Sequence, residues 1–187
     1  MYSSEKAFPT GFSVSTLINV CVEIVIYRGV VSVNYWIIPL SEENWLVVKE
    51  TGVYGAPGAA RGRHIRELVK PGDVLLFYVT KRNSSRLGGK IVGAYRVISE
   101  WFREDKPLWP DEAREGRVKY PWRVRLEPLK LGVADYNELA PRLSFVVDKK
   151  RPGAPLIGTP GNYKRPIPRK DAELIINSLK PVPVSSL

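Results

Sequence analysis

An aromatic residue among very small residues is the part of this sequence best suited to chemistry. Tyr54 lies in the segment Val53–Gly58, which reads Val-Tyr-Gly-Ala-Pro-Gly, and Arg61 and Arg63 follow it. A ring beside small residues can stack on a flat base, and nearby arginines can hold its phosphate. The six residues alone leave a second interpretation open at equal weight, in which Tyr54 fills the edge of a hydrophobic core.

Positive charge dominates the chain and gathers in segments. The 187 residues include 29 Lys and Arg against 19 Asp and Glu, a net charge of +10, which favours a polyanionic partner such as nucleic acid. Residues 149–170 and 81–90 contain basic residues and no acidic ones. The predicted contacts to a nucleic-acid backbone are Arg61, Arg63, Lys149, Lys150, Arg151, Lys164 and Arg165.

Several classes of site are disfavoured by composition. Cys21 is the only cysteine and His64 the only histidine, so we expect no disulfide within the chain, no metal site and no cofactor. The apolar run 14–26 contains Asn19 and Glu23 and is shorter than the roughly 20 residues that cross a bilayer. It also lacks the pattern of a secretory signal, so we expect a cytoplasmic protein without a membrane partner; the oligomeric state stays open.

The elements that must position Tyr54 have clear local signals. Residues 35–40 read as a strand, and residues 41–51 as a helix capped by Ser41 and stopped by Gly52. A second helix over about 59–69 has one apolar and one basic face. Later elements are a long-looped hairpin of strands 74–80 and 91–98, a strand 120–126 with Arg123 and Arg125 on a cationic face, a short helix 136–140, a strand centred on Phe145 and a closing helix 169–179.

This order of elements does not alternate as a doubly wound parallel sheet requires. It favours an α+β fold built on a small mixed β barrel. The order and spacing of six segments carry a resemblance: Asn34–Pro39, Val53–Pro57, Lys70–Tyr78, Ile91–Tyr95, Tyr120–Pro128 and Leu143–Phe145. In these segments the sequence resembles the EVE domain, a member of the PUA-like superfamily related to YTH domains.

The resemblance covers about residues 34–180. It implies a PUA-like mixed β pseudobarrel with short helices covering its openings. Residues 1–33 would then be an N-terminal extension, either an added strand or hairpin or a segment upstream of the natural start, and residues 181–187 a C-terminal tail.

The resemblance also implies a function: non-catalytic binding of a modified, most simply methylated, base in DNA or RNA. Tyr54 corresponds in position to a cage tryptophan of YTH domains and Trp109 to a second cage aromatic, and the tyrosine leaves the choice of methyl group open. Trp36 is expected in the core or at the floor of the pocket. The implied base pocket comprises Trp36, Ser41, Tyr54, Gly55, Pro57 and Trp109.

Two alternatives remain beside a base-binding domain. One is an RNA- or nucleoside-modifying enzyme of PUA-like fold, which would need a lysine near a carboxylate. Lys149 and Asp148 are the candidates, but adjacent residues of a strand point to opposite faces, so no catalytic residue is predicted. The other is an RNA-positioning or protein-interaction domain with a vestigial pocket, which an occluded Tyr54 would favour.

Overall fold

The computed structural model of the protein describes residues 32–156 and 165–181. The chain divides between Ser32 and Val33, and the architecture below is that of the second unit. Most of the expected extension, residues 1–33, and most of the expected tail, residues 181–187, lie outside the described residues. The domain boundaries therefore stay predictions.

The described residues form one mixed sheet. Its strands are β1 (Tyr35–Leu40), β2 (Val53–Ala56), β3 (Val74–Val79), β4 (Lys90–Val97), β5 (Phe102–Arg103) and β6 (Trp122–Asp135). Their order is β1-β3-β4-β6-β2, with β5 beside β6. β1 runs parallel to β3, and the remaining pairs are antiparallel.

The length of β6 curls the sheet. This strand has 14 residues; Trp122 to Arg125 pair with β2, whereas Leu126 to Asp135 pair with β4. Two register shifts in the β4 pairing increase the local bend. One strand thus joins β4 to β2 and β5, and the curled mixed sheet agrees with the α+β fold expected from the sequence.

Short helices cover the openings of this curled sheet. They are α1 (Glu42–Thr51), α2 (Ala60–Leu68), α3 (Pro110–Glu115), α4 (Tyr136–Leu139) and α5 (Arg169–Ser178), with 3-10 turns at Ala140–Arg142 and Ala154–Leu156. The predicted limits of α1 are confirmed: the Ser41 hydroxyl accepts from the Asn44 N–H, and Gly52 adopts φ 63° at the end.

The buried strand β3 separates two hydrophobic cores. Leu75, Phe77 and Val79 face the inside of the curl, whereas Val74, Leu76 and Tyr78 face the second core, because alternate side chains of a strand point to opposite faces. In the inner core Trp45, Phe77 and Tyr95 pack with ring centroids 5.6–5.9 Å apart. The second core lies under α4 and α5.

The strand predicted around Phe145 is wrong. Ser144 and Phe145 form a turn, and the Asp171 carboxylate accepts from the Phe145 N–H at 3.0 Å and from the Ser144 hydroxyl at 2.7 Å. A carboxylate from α5 therefore binds the backbone N–H that a neighbouring strand would otherwise bind. The predicted strand 120–126 also begins at Trp122 and continues to Asp135.

The cationic face predicted for β6 is wrong at Arg123. This residue is only 2% exposed, and its guanidinium donates to the Glu104 carboxylate at 2.6 Å and to the Lys106 carbonyl. A buried charge is tolerated when it is paired and hydrogen-bonded. Arg123 thus fastens the 104–106 loop to β6, while Arg125 is exposed as predicted.

Candidate functional site

A cavity of about 300 Å³ opens at one end of the curled sheet. Its walls come from the end of β1, one side of α1, β2, the start of α3 with Trp109 before it, and Tyr120. The structure brings together residues that are up to about 80 positions apart in the chain. On this cavity lie five of the six residues implied for a base pocket: Ser41, Tyr54, Gly55, Pro57 and Trp109.

Trp36 does not line this cavity. It is 3% exposed in the inner core, and its indole N–H donates to the Asp73 carboxylate at 3.0 Å. The same carboxylate accepts from the backbone N–H groups of Asn34 and Lys70. Trp36 therefore stabilises the fold between β1 and the turn before β3 as a core residue and does not line this cavity.

Tyr54 belongs to a strand and not to an open turn. It pairs with Val124 of β6, and its ring packs against Phe77 at 5.9 Å and Trp101 at 6.2 Å between centroids. The residue is 9% exposed. Tyr54 is thus both a core residue and part of the cavity wall, so the two interpretations open at the sequence level are not exclusive.

Trp109 forms another wall of the cavity and is almost wholly buried. Its ring packs edge-to-face against Tyr120 at 5.2 Å, and the Arg123 guanidinium lies 5.1 Å from the ring centroid. A Cβ on Gly55 would overlap the Trp109 ring, so Gly55 allows the indole to rest on the backbone of β2. The ring is thus supported from several sides.

Glu112 holds the two chain segments that carry the aromatic walls. Its fully buried carboxylate accepts four backbone N–H groups: Leu108 at 2.7 Å, Trp109 at 3.2 Å, Lys119 at 2.7 Å and Tyr120 at 2.8 Å. Glu112 is not among the residues predicted from the sequence. Its local signal is incomplete, because the N-cap is Trp109 and not the serine or threonine of a capping box.

The polar side of the cavity presents hydrogen-bond acceptors. Asp111 accepts from the Tyr120 hydroxyl at 2.9 Å and from the Lys119 ammonium at 2.8 Å through one oxygen. Its other oxygen and the amide oxygen of Asn44 are buried with no hydrogen-bond partner among the described residues. Both residues line the cavity, and neither was predicted as a site residue.

The protonation states of this wall follow from its hydrogen bonds. Burial alone would raise the pKa of Asp111, but the bonds from Lys119 and Tyr120 outweigh it and lower the pKa. Burial, helped by the bond to Asp111, raises the pKa of Tyr120 to about 12. At neutral pH Asp111 is therefore an ionised acceptor and Tyr120 a neutral donor.

A second, shallower groove adjoins the cavity through the shared residues Pro57 and Tyr120. Its wall includes Arg117 and the turn before α2. Arg117 forms an ion pair with Glu115 at 2.9 Å, and at the cavity Arg114 forms one with Glu43 at 2.6 Å. The positive charges nearest the cavity are therefore largely paired with carboxylates.

The basic residues predicted to contact a nucleic-acid backbone lie in different environments. Arg63 is exposed on α2, and Arg61 belongs to the first turn of that helix. The Lys149 ammonium donates to the carbonyls of Ala140 and Leu143, at 3.1 and 2.7 Å. Lys149 thus closes the turn after α4 and has little freedom to bind a phosphate.

The rest of this predicted basic set is only partly free. Arg151 pairs with Asp148 at 2.8 Å on the surface, whereas Lys150 and Arg165 are exposed. Lys164 lies outside the described residues. Because Asp148 binds Arg151 and the Lys149 ammonium binds carbonyls, the lysine and carboxylate considered for catalysis are not arranged as a pair.

Neither a cluster of metal ligands nor a membrane-spanning helix is found in the part of the chain that the structure describes. Within residues 32–156 and 165–181, no group of three or more His, Cys, Asp or Glu side chains could hold a metal ion. In the same ranges, every helix is too short or too polar to span a membrane.

Comparison with known proteins places the chain in a family. The model of the EVE domain matches residues 34–178. A UPF0310 protein of Saccharolobus solfataricus is 35% identical over 147 residues, which is 79% of this chain and 95% of the relative. A UPF0310 protein of Pyrococcus abyssi is 35% identical over 144 residues, 76% of this chain and 96% of the relative.

A solved structure shares the fold. The YTH domain of Pho92, in complex with m6A, has a TM-score of 0.51 and 17% identity to this chain, and the match covers 81% of this chain and 86% of that domain. At this identity the likeness concerns the fold alone. Together with the family match and the two relatives, it agrees with the curled mixed sheet, and the chain belongs to the EVE domain family.

Proposed function

We propose that this protein is a non-catalytic nucleic-acid binding domain that recognises a modified base, most simply a methylated one, in DNA or RNA. The observation that carries the proposal is the cavity, which combines aromatic walls from Tyr54, Trp109 and Tyr120 with the polar residues Asn44 and Asp111. Its volume of about 300 Å³ lies at the small end of the range for ligand pockets. A single base is a ligand of suitable size and shape.

The acceptors favour a base that offers hydrogen-bond donors. The free oxygen of Asp111 and the amide oxygen of Asn44 lie just below the cavity surface and are closed to solvent. A base that supplies N–H groups reaches them when these side chains turn towards the cavity, and it then satisfies acceptors that are otherwise buried without a partner. Adenine and cytosine carry an exocyclic amino group at the edge they present, whereas thymine offers a carbonyl and a methyl there. The proposal therefore includes a preference for amino-bearing bases.

The aromatic walls supply apolar contact for the ring and for a methyl group. Base–aromatic stacking contributes about 1–3 kcal/mol per base, and a methyl adds area worth about 25 cal/mol per Å² when buried. Tyr120 is the most accessible of the three rings and also borders the adjoining groove. The m6A complex of the Pho92 domain, which shares the fold, supports this class of ligand.

Titration of matched oligonucleotides tests the proposal. Strands that carry N6-methyladenine, 5-methylcytosine or no modification are added while tryptophan fluorescence is followed, for the wild type, Asn44→Ala and the control Asn177→Ala. Asn177 is exposed on α5 and does not line the cavity. We expect one modified strand to bind best, and Asn44→Ala to weaken it about tenfold because a buried donor of the base loses its acceptor, at about 1–3 kcal/mol.

Two results would contradict the proposal. Equal affinity for every strand, unchanged by Asn44→Ala, would exclude the cavity as the reading site. Release of a product after long incubation with modified nucleosides would show catalysis in place of binding.

A further inference from the structure

The loop between β3 and β4, residues 80–89, together with Lys90 at the start of β4, contains Lys81, Arg82, Arg86 and Lys90 and no acidic residue. We infer that this basic loop binds the nucleic-acid backbone on one side of the base held in the cavity. The inference rests on the proposed function for the base itself. It assigns a surface that the predicted backbone contacts did not include.

The loop is attached directly to the cavity wall. Glu42 follows the cavity-lining Ser41, and its carboxylate accepts from the backbone N–H of Ser85 at 2.7 Å, of Arg86 at 3.1 Å and of Leu87 at 3.2 Å. Burial would raise the pKa of Glu42, but these hydrogen bonds outweigh it and lower the pKa. The first turn of α1 thus fixes the position of the basic loop beside the cavity.

The loop is also held in one conformation. The Ser84 hydroxyl donates to the Thr80 carbonyl, and the Gly89 N–H donates to the Val79 carbonyl at 2.8 Å. Gly89 adopts φ 85°, and a Cβ there would overlap the side chain of Lys81, so the lysine stem lies along the glycine backbone. A surface ordered before binding loses less conformational entropy when a ligand arrives.

Two cations of this loop, Lys81 and Arg82, are more available than several other basic residues of the described chain. Lys81 and Arg82 are exposed, and neither forms an ion pair within residues 32–156 and 165–181. By contrast, Arg114, Arg117 and Arg151 each pair with a carboxylate. A phosphate can bind Lys81 and Arg82 without first breaking an ion pair of either side chain among the described residues.

The composition of the loop fits a phosphate backbone. Its exposed side chains are charged or polar, and its one large apolar residue, Leu87, is buried. Protein interfaces are depleted in lysine at their centre, whereas phosphate contacts come largely from Lys and Arg and position nucleic acid without reading its sequence. A strand carries one phosphate about every 3.4 Å along a helix axis, so neighbours of a captured base bring several charges close to the loop.

The test compares long and short ligands at several salt concentrations. The variant is Lys81→Gln with Arg82→Gln, and the matched control is Arg142→Gln with Lys170→Gln, two exposed cations that line neither cavity nor groove. The ligands are a single strand of about 15 nucleotides, long enough to pass the cavity on both sides, and a trinucleotide with the same central base. Thermal unfolding of each variant verifies the fold.

We expect the loop variant to reduce the slope of log affinity against log salt for the long strand by about 1.4, since each lost phosphate contact removes about 0.7 on single strands. Affinity for the trinucleotide and the ratio between modified and unmodified strands stay as in the wild type. The control variant keeps the wild-type slope.

A wild-type slope in the loop variant, or an equal fall in the control, would overturn the inference. Competition by polyglutamate at equal charge concentration would assign the loop to acidic polypeptides and also overturn it. If the wild type shows no preference among bases while the slope still falls in the loop variant, the proposed function fails and the loop inference stands. Absence of any binding to the long strand would refute both.

Discussion

Replacing Glu112 by glutamine should destabilise the two segments that carry Trp109 and Tyr120, and with them the cavity. Each carboxylate oxygen of Glu112 accepts two backbone N–H groups, one from Leu108 and Trp109 and the other from Lys119 and Tyr120. A glutamine keeps one acceptor oxygen and places an NH₂ group against the other two donors. Two buried N–H groups then lose their acceptor and face another donor.

The structure sets the size of this effect. A buried donor left without a partner costs about 1–3 kcal/mol, so two such donors lower the free energy of unfolding by about 2–6 kcal/mol. Natural domains are stable by only about 5–15 kcal/mol. The change is therefore large relative to the whole, and because Trp109 and Tyr120 both depend on Glu112, ligand binding in the cavity should weaken as well.

Urea unfolding followed by tryptophan fluorescence measures the difference. The matched control is Glu115→Gln on the same helix, where an exposed carboxylate pairs with Arg117 and Lys119, because surface pairs contribute only about 0–1 kcal/mol. If Glu112→Gln unfolds within about 0.5 kcal/mol of Glu115→Gln, below the cost of even one lost acceptor, then the four hydrogen bonds do not hold the walls and the reasoning is refuted.

Two further predictions concern packing and pH. Gly55→Ala should lower the free energy of unfolding by about 1–3 kcal/mol, since its Cβ overlaps the Trp109 ring, whereas Gly58→Ala, at an exposed position, should stay within about 0.5 kcal/mol of wild type in urea unfolding. Burial raises the pKa of Tyr95 to about 12, above the value of about 10 in an unfolded chain. The free energy of unfolding that the neutral Tyr95 contributes is present below about pH 10 and is lost as the pH rises towards 12. Between about pH 9 and 11, the free energy of unfolding in urea should therefore fall by about 1 kcal/mol less in Tyr95→Phe than in the wild type. Equal falls in the two proteins would contradict burial of Tyr95 as the cause.

Elements with a local cause were predictable from the sequence. α1 begins at a serine cap and two glutamates and ends at a glycine in the left-handed conformation, so every signal lies within about a dozen residues. The antiparallel pairing of β3 and β4 was predictable for a similar reason, because each strand is apolar and flanked by turn residues. The turn at Phe145 was not, since its cause is Asp171, which is 26 residues away.

The candidate site was predictable in part because a resemblance supplied order and position. It led to Tyr54, Gly55 and Trp109, whose contacts across β2 no local pattern reveals. It did not distinguish the core from the pocket floor for Trp36, where a distant carboxylate, Asp73, binds the indole N–H. It also missed Asn44, because a polar residue near the start of a helix is ordinarily a solvent-facing one.

Buried carboxylates hold the loops around this site, and sequence patterns predict the residues of the cavity wall but not these carboxylates. Glu42, Asp73, Glu112 and Asp171 are each at most 9% exposed, although hydropathy assigns such residues to solvent. Each accepts at least one backbone N–H from a loop or turn. Bonds of this kind depend on the course of the chain and not on the side chains that line the cavity. A change at a wall residue such as Tyr54 should therefore alter the surface of the cavity, while the loops around it keep their positions.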